Sequence, residues 1–200
     1  MSSLNEKSVQ VITDFNKSYA RAMILYMDAS LDYIAGRCCM INGIFFRGHS
    51  LICEAIEKSL KAIYFIKNKK YHSERRHNLL NLKKDLHSSL FLDKYSTLLG
   101  FLTDAHKTRY TESKGDFPKA YSSIYTASDH LDEIDCLWMD IFDNLEAPDE
   151  IKYRLAFFPS SLVMKITENY STWLTVRNKT LSSRYNSLVK KCREIMVAES

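Results

Sequence analysis

The stretch that decides the fold is residues 52–64, which read ICEAIEKSLKAIY. Positions at steps of three and four form one mainly apolar stripe, which is typical of an α-helix that buries one face. The stripe consists of Ile52, Ala55, Ile56, Ser59, Leu60, Ile63 and Tyr64. Charged residues border it, and among them Glu57 and Lys61 have the spacing of an ion pair along a helix. This stretch therefore predicts a long amphipathic helix that packs against other helices.

A similar periodicity continues on both sides of this stretch. It predicts a first helix that starts at a capping box from Ser3 to Glu6 and ends near Gly36. The other predicted helices cover residues 37–67, 79–86, 93–105, 118–142 and about 160–195, with Asp93 and Ser160 or Ser161 as N-caps. Polar segments at 68–77, 111–116 and 146–149 separate them. Within the second helix, Gly43 and Gly48 are predicted to mark close packing against a neighbour.

The composition favours helices throughout the chain. Only 5 Gly and 3 Pro occur in 200 residues, too few for the frequent turns of a β-sandwich or barrel. With 46% hydrophobic residues the chain is too apolar for a disordered protein, and its length suits one domain. We therefore predict an all-α, up-and-down helical bundle. It is a single α-helical domain over residues 1–200, with a long N-terminal helix and a C-terminal helical extension.

The sequence predicts a cytoplasmic protein without a cofactor. The N-terminus lacks the apolar run of a signal peptide, and no window approaches the roughly 20 apolar residues of a membrane span. The five cysteines lie among apolar residues and none has zinc-ligand spacing. This pattern predicts buried, reduced thiols and no metal site.

The charged residues are unevenly distributed. Residues 58–84 contain nine Lys and Arg and a single acid, Glu74, whereas residues 129–150 contain nine Asp and Glu and no Lys or Arg. Such asymmetry can steer a polyanion to one face, or it can bring two protein surfaces together. The alternative is that each run is simply a solvated helix face.

Residues 45–138 carry a series of motifs in a characteristic order. The second helix reads FRGHSLICEAIEKSLKA over residues 46–62, and a leucine-rich element follows as RHNLLNL over residues 76–82. A later helix opens with Tyr95 and closes with Arg109-Tyr110, and a segment rich in Ala and Tyr follows at residues 121–130. In order and spacing these motifs resemble the HEPN family of helical nucleotide- and RNA-associated proteins.

The resemblance implies a four- or five-helix core over residues 37–146, on which an extension at residues 147–200 packs. It also implies a homodimer with a ligand groove between the subunits. HEPN ribonucleases use an arginine with a histidine five to seven residues downstream, and no arginine of this sequence has one. Arg177-Asn178 begins like that motif but lacks the histidine. The resemblance therefore implies binding of nucleotide or RNA without the usual ribonuclease site.

Two clusters of residues are candidate sites. The first is His106 with Arg109 and Tyr110, because a histidine and an arginine three apart on a helix can face one phosphate, to bind or to cleave. The alternative is that Arg109 and Tyr110 cap the helix, with His106 in water. The second is the basic connection, residues 69–77, where an aromatic residue among cations suits a nucleic-acid backbone. Its candidate ligand-binding residues are Lys69, Lys70, Tyr71, His72, Arg75, Arg76 and His77.

Three functions are consistent with these features. The first is a non-catalytic HEPN-like module that binds nucleotide or RNA through Arg109 and the basic connection. The second is a metal-independent ribonuclease of toxin or defence type that uses His106 with Arg109 or with Arg177. The third is a scaffold, for instance for a nucleotidyltransferase, held through the acidic helix at residues 129–150. The missing ribonuclease motif favours the first and the third, and the first is the prediction.

Overall fold

The protein is a bundle of α-helices. The computed structural model describes residues 3–70, 72, 77–86, 90–107, 131–147 and 177–197, with the backbone alone for residues 3–18, 185, 186, 189, 192, 193 and 195–197. The helices are α1 (Ser3–Ile41), α2 (Phe45–Asn68), α3 (Leu79–Asp85), α4 (Ser96–Lys107), α5 (Leu131–Asp143) and α6 (Lys179–Val197), and a 3-10 helix (Leu90–Tyr95) precedes α4. No strand occurs among these residues, so the predicted all-α class is confirmed. None of the described helices is both long and apolar enough to cross a membrane.

Helices α1 and α2 form an antiparallel hairpin whose closest contact lies at two glycines. A Cβ atom on Gly48 would lie 2.5 Å from Met40 Cγ and 3.0 Å from the backbone oxygen of Gly36. A Cβ atom on Gly36 would in turn lie 2.8 Å from Ile52 Cγ1. The two backbones approach to a distance that only glycine permits. The predicted role of Gly48 in close packing is therefore confirmed.

The end of α1 differs from the prediction. The helix continues past Gly36 to Ile41, and α2 begins at Phe45 instead of residue 37. The turn between them is formed at Gly43, whose φ of +78° is in the left-handed region and whose Cβ would meet no atom of the described residues within 4 Å. The prediction was wrong because a glycine in a helical pattern can mark either a C-terminus or a close contact. Here Gly36 marks the contact and Gly43 the turn.

Helix α3 begins as predicted after the basic connection. Asn78 is its N-cap, and its side-chain oxygen accepts hydrogen bonds from the backbone N–H groups of Leu80 and Asn81, both at 3.1 Å. The predicted N-cap of α4 was wrong. Asp93 lies within the 3-10 helix, and its carboxylate pairs with Lys83 at 2.8 Å.

A buried polar network joins α1, α5 and α6. The guanidinium of Arg37 donates to both carboxylate oxygens of Asp135, at 2.7 and 2.8 Å, and both side chains are at most 1% exposed. The hydroxyl of Tyr33 donates to the same carboxylate at 2.5 Å, and Asn178 donates to that hydroxyl at 3.3 Å. Burial and the neighbouring carboxylate hold the pKa of Tyr33 well above its ordinary value, so the hydroxyl stays protonated and can donate.

The aromatic part of the core is built around Trp138 of α5. Its ring stacks on Tyr33, with centroids 4.3 Å apart, and on Tyr26, with centroids 5.5 Å apart. Trp138 is buried, as predicted, whereas Trp173 lies outside the described residues. Of the cysteines, Cys53 is buried, and burial raises the pKa of its thiol, whereas Cys38, Cys39 and Cys136 are half-buried. Among the cysteines whose side chains the structure describes, the prediction of buried thiols is thus confirmed for Cys53 alone, and the side chain of Cys192 lies outside the described structure.

The C-terminal helix also differs from the prediction of one helix over residues 160–195, because a separate helix begins at Lys179. Arg177 has a φ of +54°, and the side chain of Asn178 accepts a hydrogen bond from the Leu181 N–H at 2.8 Å. Asn178 therefore caps a helix that begins at Lys179. The predicted segments at 111–116 and 148–176, the part of the predicted helix 118–142 before Leu131, and the side chains of the Ser3–Glu6 capping box lie outside the described structure.

The close contact at Gly48 predicts that glycine-to-alanine substitutions at two positions will change the free energy of unfolding in opposite directions. We expect Gly48→Ala to lower the free energy of unfolding by about 1–3 kcal/mol, because the new methyl group collides with α1. Gly100→Ala is the matched control, since among the described residues its Cβ would meet only Leu80 Cδ1, at an ordinary contact distance of 3.6 Å. It should raise the free energy of unfolding by about 0.5–1 kcal/mol, because alanine favours a helix interior. Urea titration of both variants measures this, and an equal shift of both would contradict the packing argument.

The two tyrosines that stack on Trp138 should respond differently to the loss of their hydroxyl groups. Tyr33→Phe removes a hydrogen bond to a buried carboxylate and should lower the free energy of unfolding by about 1.5–3 kcal/mol. Tyr26→Phe deletes the same atom from a buried hydroxyl that has no hydrogen-bond partner among the described residues. Its free energy of unfolding should stay equal or rise by up to about 1 kcal/mol. A loss of equal size in both variants, measured by thermal or urea unfolding, would contradict this assignment.

Candidate functional site

Helix α2 carries a polar stripe on an otherwise apolar surface. Ser50, Glu54, Glu57 and Lys61 follow one another at steps of four, three and four, which places them on one side of the helix. Ser50 and Glu57 are buried, and Glu54 and Lys61 are half-buried. Helices α3 and α4 pack against α2, and His72 and His77 of the connection contact Tyr64 and Glu57 of α2. The stripe therefore lies at an internal junction.

Glu57 is the centre of this junction. Its carboxylate accepts a hydrogen bond from Lys61 Nζ at 2.5 Å, so the predicted ion pair along the helix is confirmed. The second carboxylate oxygen contacts Nδ1 of His77. An isolated carboxylate would be costly to bury; here the ammonium of Lys61 compensates its charge, and the imidazole of His77 supplies a second polar contact. Glu57 thus ties the end of the basic connection to α2.

His77 lies between the interior and the surface. Its side chain is 40% exposed, and its other ring nitrogen, Nε2, makes no hydrogen bond within the described part of the chain. Its φ is +51°, a conformation that non-glycine residues adopt at a cost of about 1–3 kcal/mol. Contacts with Glu57 and the start of α3 at the next residue hold this backbone in place. Residues kept in such conformations are concentrated at functional sites.

His106 packs against His77 from the last turn of α4. The two ring centroids are 4.4 Å apart, and the planes are tilted by 43°. Nδ1 of His106 lies 3.5 Å from the hydroxyl of Ser50, and the residue is only 2% exposed. The alternative that placed His106 in water was therefore wrong. A third histidine, His49, is buried in the same interface and meets the ring of Phe101 edge-on.

Two lysines open the basic connection at the C-terminus of α2. Lys69 caps the helix in a left-handed conformation, with φ of +55°, and its N–H donates to the carbonyl of Phe65 at 2.9 Å. Its ammonium lies 4.8 Å from the ring centroid of Tyr19 on α1. Lys70 follows and is exposed. Further along, His72 Nε2 lies 2.6 Å from Asp85 on α3. Two ammonium groups are thus exposed at the start of the connection.

The structure unites two clusters that the sequence presented separately. His77 belongs to the basic connection and His106 to the end of α4, and their rings are in contact. Lys69 and Lys70 are exposed as a ligand-binding role requires. Tyr71, Arg75, Arg76, Arg109 and Tyr110 lie outside the described residues.

Sequence reasoning did not assign Ser50 and His49 to the site, and it gave Glu57 a packing role only. A signal for the stripe was present, because four polar residues share one helical face between buried apolar neighbours. Asn178 of the Arg177-Asn178 pair has a structural role, since its side chain caps α6 and donates to the hydroxyl of Tyr33.

Much of the negative charge of residues 129–150 is compensated by cations in the fold. Most of its acids lie within salt-bridge distance of cations from other parts of the chain. These pairs are Asp132–Lys179, Asp135–Arg37, Asp140–Lys94, Asp143–Arg184 and Glu146–Lys67. In the basic run, Lys58 pairs with Asp32 and Lys83 with Asp93. Much of the asymmetry seen along the sequence is therefore compensated within one molecule.

The chemistry available at the site is that of imidazoles, a shared carboxylate and nearby ammonium groups. Within the described ranges, no group of three His, Cys, Asp or Glu side chains is arranged to hold a metal ion. No protein-family model, no curated protein and no solved structure matches this chain. The HEPN resemblance therefore stays a prediction that rests on the quoted motifs.

Proposed function

We propose that this protein binds the phosphate groups of RNA or of a nucleotide where the basic connection meets the end of α4. The observation that carries the proposal is the contact between the rings of His77 and His106. It joins the two segments that the sequence independently marked as candidate phosphate sites. One of them begins with Lys69 and Lys70, and the other continues from His106 towards Arg109 and Tyr110 along the chain.

The charges at this junction support an anionic ligand. Lys69 and Lys70 are exposed, and His77 is half-exposed with Nε2 available as a donor when the ring is protonated. Lysine side chains near phosphates release condensed counterions, which makes binding sensitive to salt. Tyr71 lies between these cations in sequence, where an aromatic ring suits stacking with a base. The ligand class is thus a phosphate-bearing nucleotide chain or its monomer.

The HEPN resemblance adds a homodimer to the proposal, and the sequence pattern adds a cytoplasmic location. A two-fold pairing would double the number of cations that face one ligand. Light scattering of the purified protein measures the mass directly, and a monomer at micromolar concentration would remove the dimer from the proposal. Scaffolding through the acidic helix is the weaker alternative, because five of its acids are already paired within the chain.

We expect the double substitution Lys69→Ala/Lys70→Ala to weaken RNA binding. Loss of two phosphate contacts should reduce the affinity roughly tenfold near 0.1 M salt and lower the salt slope by about 1.4, since each contact to a single strand contributes roughly 0.7. Fluorescence anisotropy with a labelled single-stranded RNA at several salt concentrations measures both quantities.

The matched control for this experiment is Lys179→Ala/Lys190→Ala. It removes the same charge from α6, where both side chains are largely exposed and only loosely paired. The control should retain the affinity and the slope of the unmodified protein. If both double variants bind equally well, the basic connection is not the binding surface.

Metal-independent RNA cleavage is the second candidate function, and the Glu57–His77 pair favours it. A carboxylate that holds one nitrogen of a half-exposed imidazole leaves the other nitrogen to act as a general base. The imidazole would take the proton of a ribose 2′-hydroxyl as that oxygen bonds to phosphorus. It would return the proton to the 5′ oxygen as the phosphorus–oxygen bond breaks. The close contact with His106 leaves no room for a phosphate between the two rings, so His77 would act alone.

Incubation with RNA in EDTA tests this second function. Cleavage should produce cyclic phosphate ends and should fall about 100-fold or more in His77→Ala, because general-base catalysis contributes roughly 10²–10⁴-fold. Glu57→Gln should reduce the rate less, since it retains a hydrogen-bond acceptor for the imidazole. Intact RNA after incubation with a protein that binds it would exclude cleavage and leave binding as the function.

A further inference from the structure

We propose that two copies of this chain dimerise through the outer face of α1, with the two α1 helices antiparallel. The contact surface is the outer stripe of α1, which consists of Ala20, Ile24, Met27, Leu31, Ala35 and Cys38. The inference rests on the homodimer of the proposed function, and it adds the surface and the orientation of the pairing. It does not depend on RNA binding, because the outer stripe contains no residue of the basic connection.

The outer stripe lies on the side of α1 that faces away from the bundle. The apolar residues of α1 that are buried in the core are Ala22, Met23, Tyr26, Ala29, Tyr33, Ile34 and Met40. Because a helix turns by about 100° per residue, the outer stripe lies roughly opposite this buried face. Ile24 is 56% exposed and Leu31 is 40% exposed, and Ala20 and Ala35 are exposed as well. Helix α1 is thus apolar on two opposite sides.

The spacing of the outer stripe suits a second helix. Its members follow one another at steps of four, three, four, four and three residues. Helices that pack side by side use this spacing along their contact, which here extends over about 27 Å. The outer face of a helix in a bundle is ordinarily polar, and a contiguous exposed apolar patch marks an interaction site. The partner that fits the stripe is therefore another helix with an apolar face of the same spacing.

A second copy of α1 has that spacing and also matches the sizes of the side chains. We place the two-fold axis of an antiparallel pair between Ile24 and Met27. Ile24 of each copy then lies opposite Met27 of the other copy, and Leu31 lies opposite Ala20. Both pairs fit a single axis, since their members lie symmetrically about it. The large Leu31 side chain meets a small one, so the two helices can approach closely along the contact.

The charged residues beside the outer stripe are complementary in the same orientation. Arg21 and Asp28 are exposed and lie on one edge of the stripe, two helical turns apart. In the antiparallel pair this edge faces the same edge of the other copy. Arg21 of each copy then lies beside Asp28 of the other, with an axial offset of about 3 Å that an arginine side chain spans. In a parallel pair the edge would face the uncharged residues Met23 and Ser30 instead. The charges therefore favour an antiparallel second copy.

Sedimentation velocity of the full chain over a range of concentrations tests the surface. We expect Ile24→Lys to weaken dimerisation at least about tenfold, because the burial of an isoleucine is lost and a charge enters the contact. Leu90→Lys is the matched control, since Leu90 is 78% exposed on the 3-10 helix, outside the outer stripe. It should dimerise like the unmodified protein.

The outcomes of this experiment separate the surface from the proposed function. A dimer that Ile24→Lys leaves unchanged, or that Leu90→Lys weakens equally, would overturn the surface while the homodimer stands. An unmodified protein that is monomeric at every concentration would overturn both the homodimer and the surface. RNA binding is measured independently by fluorescence anisotropy, so its failure would leave this inference in place.

Charge reversal tests the orientation with substitutions at exposed positions only. Arg21→Glu and Asp28→Lys should each weaken the dimer about threefold or more, because each replaces two attractive pairs by two repulsive ones. An equimolar mixture of the two variants should recover the affinity, since each reversed charge then meets an opposite charge. The double variant Arg21→Glu/Asp28→Lys should recover it as well. A mixture that dimerises no better than the single variants would overturn the antiparallel pairing.

Discussion

The buried ion pair between Arg37 and Asp135 is the interaction on which the arrangement of α1, α5 and α6 depends. Two charges without access to water are costly, and the cost is offset only when all hydrogen bonds form together. Arg37 supplies two of them and Tyr33 a third, while Asn178 completes the set from the cap of α6. The network therefore specifies how α1, α5 and the start of α6 align. A small rotation of any one helix would leave a buried charge unsatisfied.

The candidate site also contains a buried carboxylate with polar partners, but one of these partners reaches the surface. Glu57 is a second buried carboxylate, and its partners Lys61 and His77 come from α2 and from the basic connection. The Asp135 network is closed, because every partner is itself buried. At Glu57 the contacts lead from the interior to the surface, since His77 is half-exposed and its Nε2 makes no hydrogen bond with the described residues. This difference separates a group that holds the fold together from one that can meet a ligand.

Intramolecular ion pairs change the meaning of the charge pattern. Along the sequence, the acidic and basic runs suggest two strongly charged surfaces. In the fold, five acids of residues 129–150 receive cations from α1, α2, α6 and the 3-10 helix, so much of the charge of this segment is compensated within the chain. The exposed cations Lys69 and Lys70 stand at the start of the basic connection, and this is why the proposed ligand contact is placed there. The number of charged residues in a segment is thus a poor guide to the electrostatic field around it unless the partners of those residues are known.

Local features of the fold were predictable from the sequence because they depend on residues within one helical turn. Periodicity gave the helical class, the buried face of α2, the start of α3 and the Glu57–Lys61 pair, all of which involve neighbours three or four residues apart. Boundaries were less predictable. Gly36 and Gly43 look alike in sequence, and only the approach of α2 shows that the first is a contact and the second a turn.

Contacts between distant residues were decided by the tertiary structure alone. His77 and His106 are 29 positions apart in the chain, and Arg37 and Asp135 are 98 apart. The period of a helix shows which face is buried, but it does not show which face of another helix will lie against it. The sequence therefore determined the set of helices and their buried faces. The packing of those helices decided that two histidines meet beside Glu57, and that five acids of residues 129–150 pair with cations of the same chain.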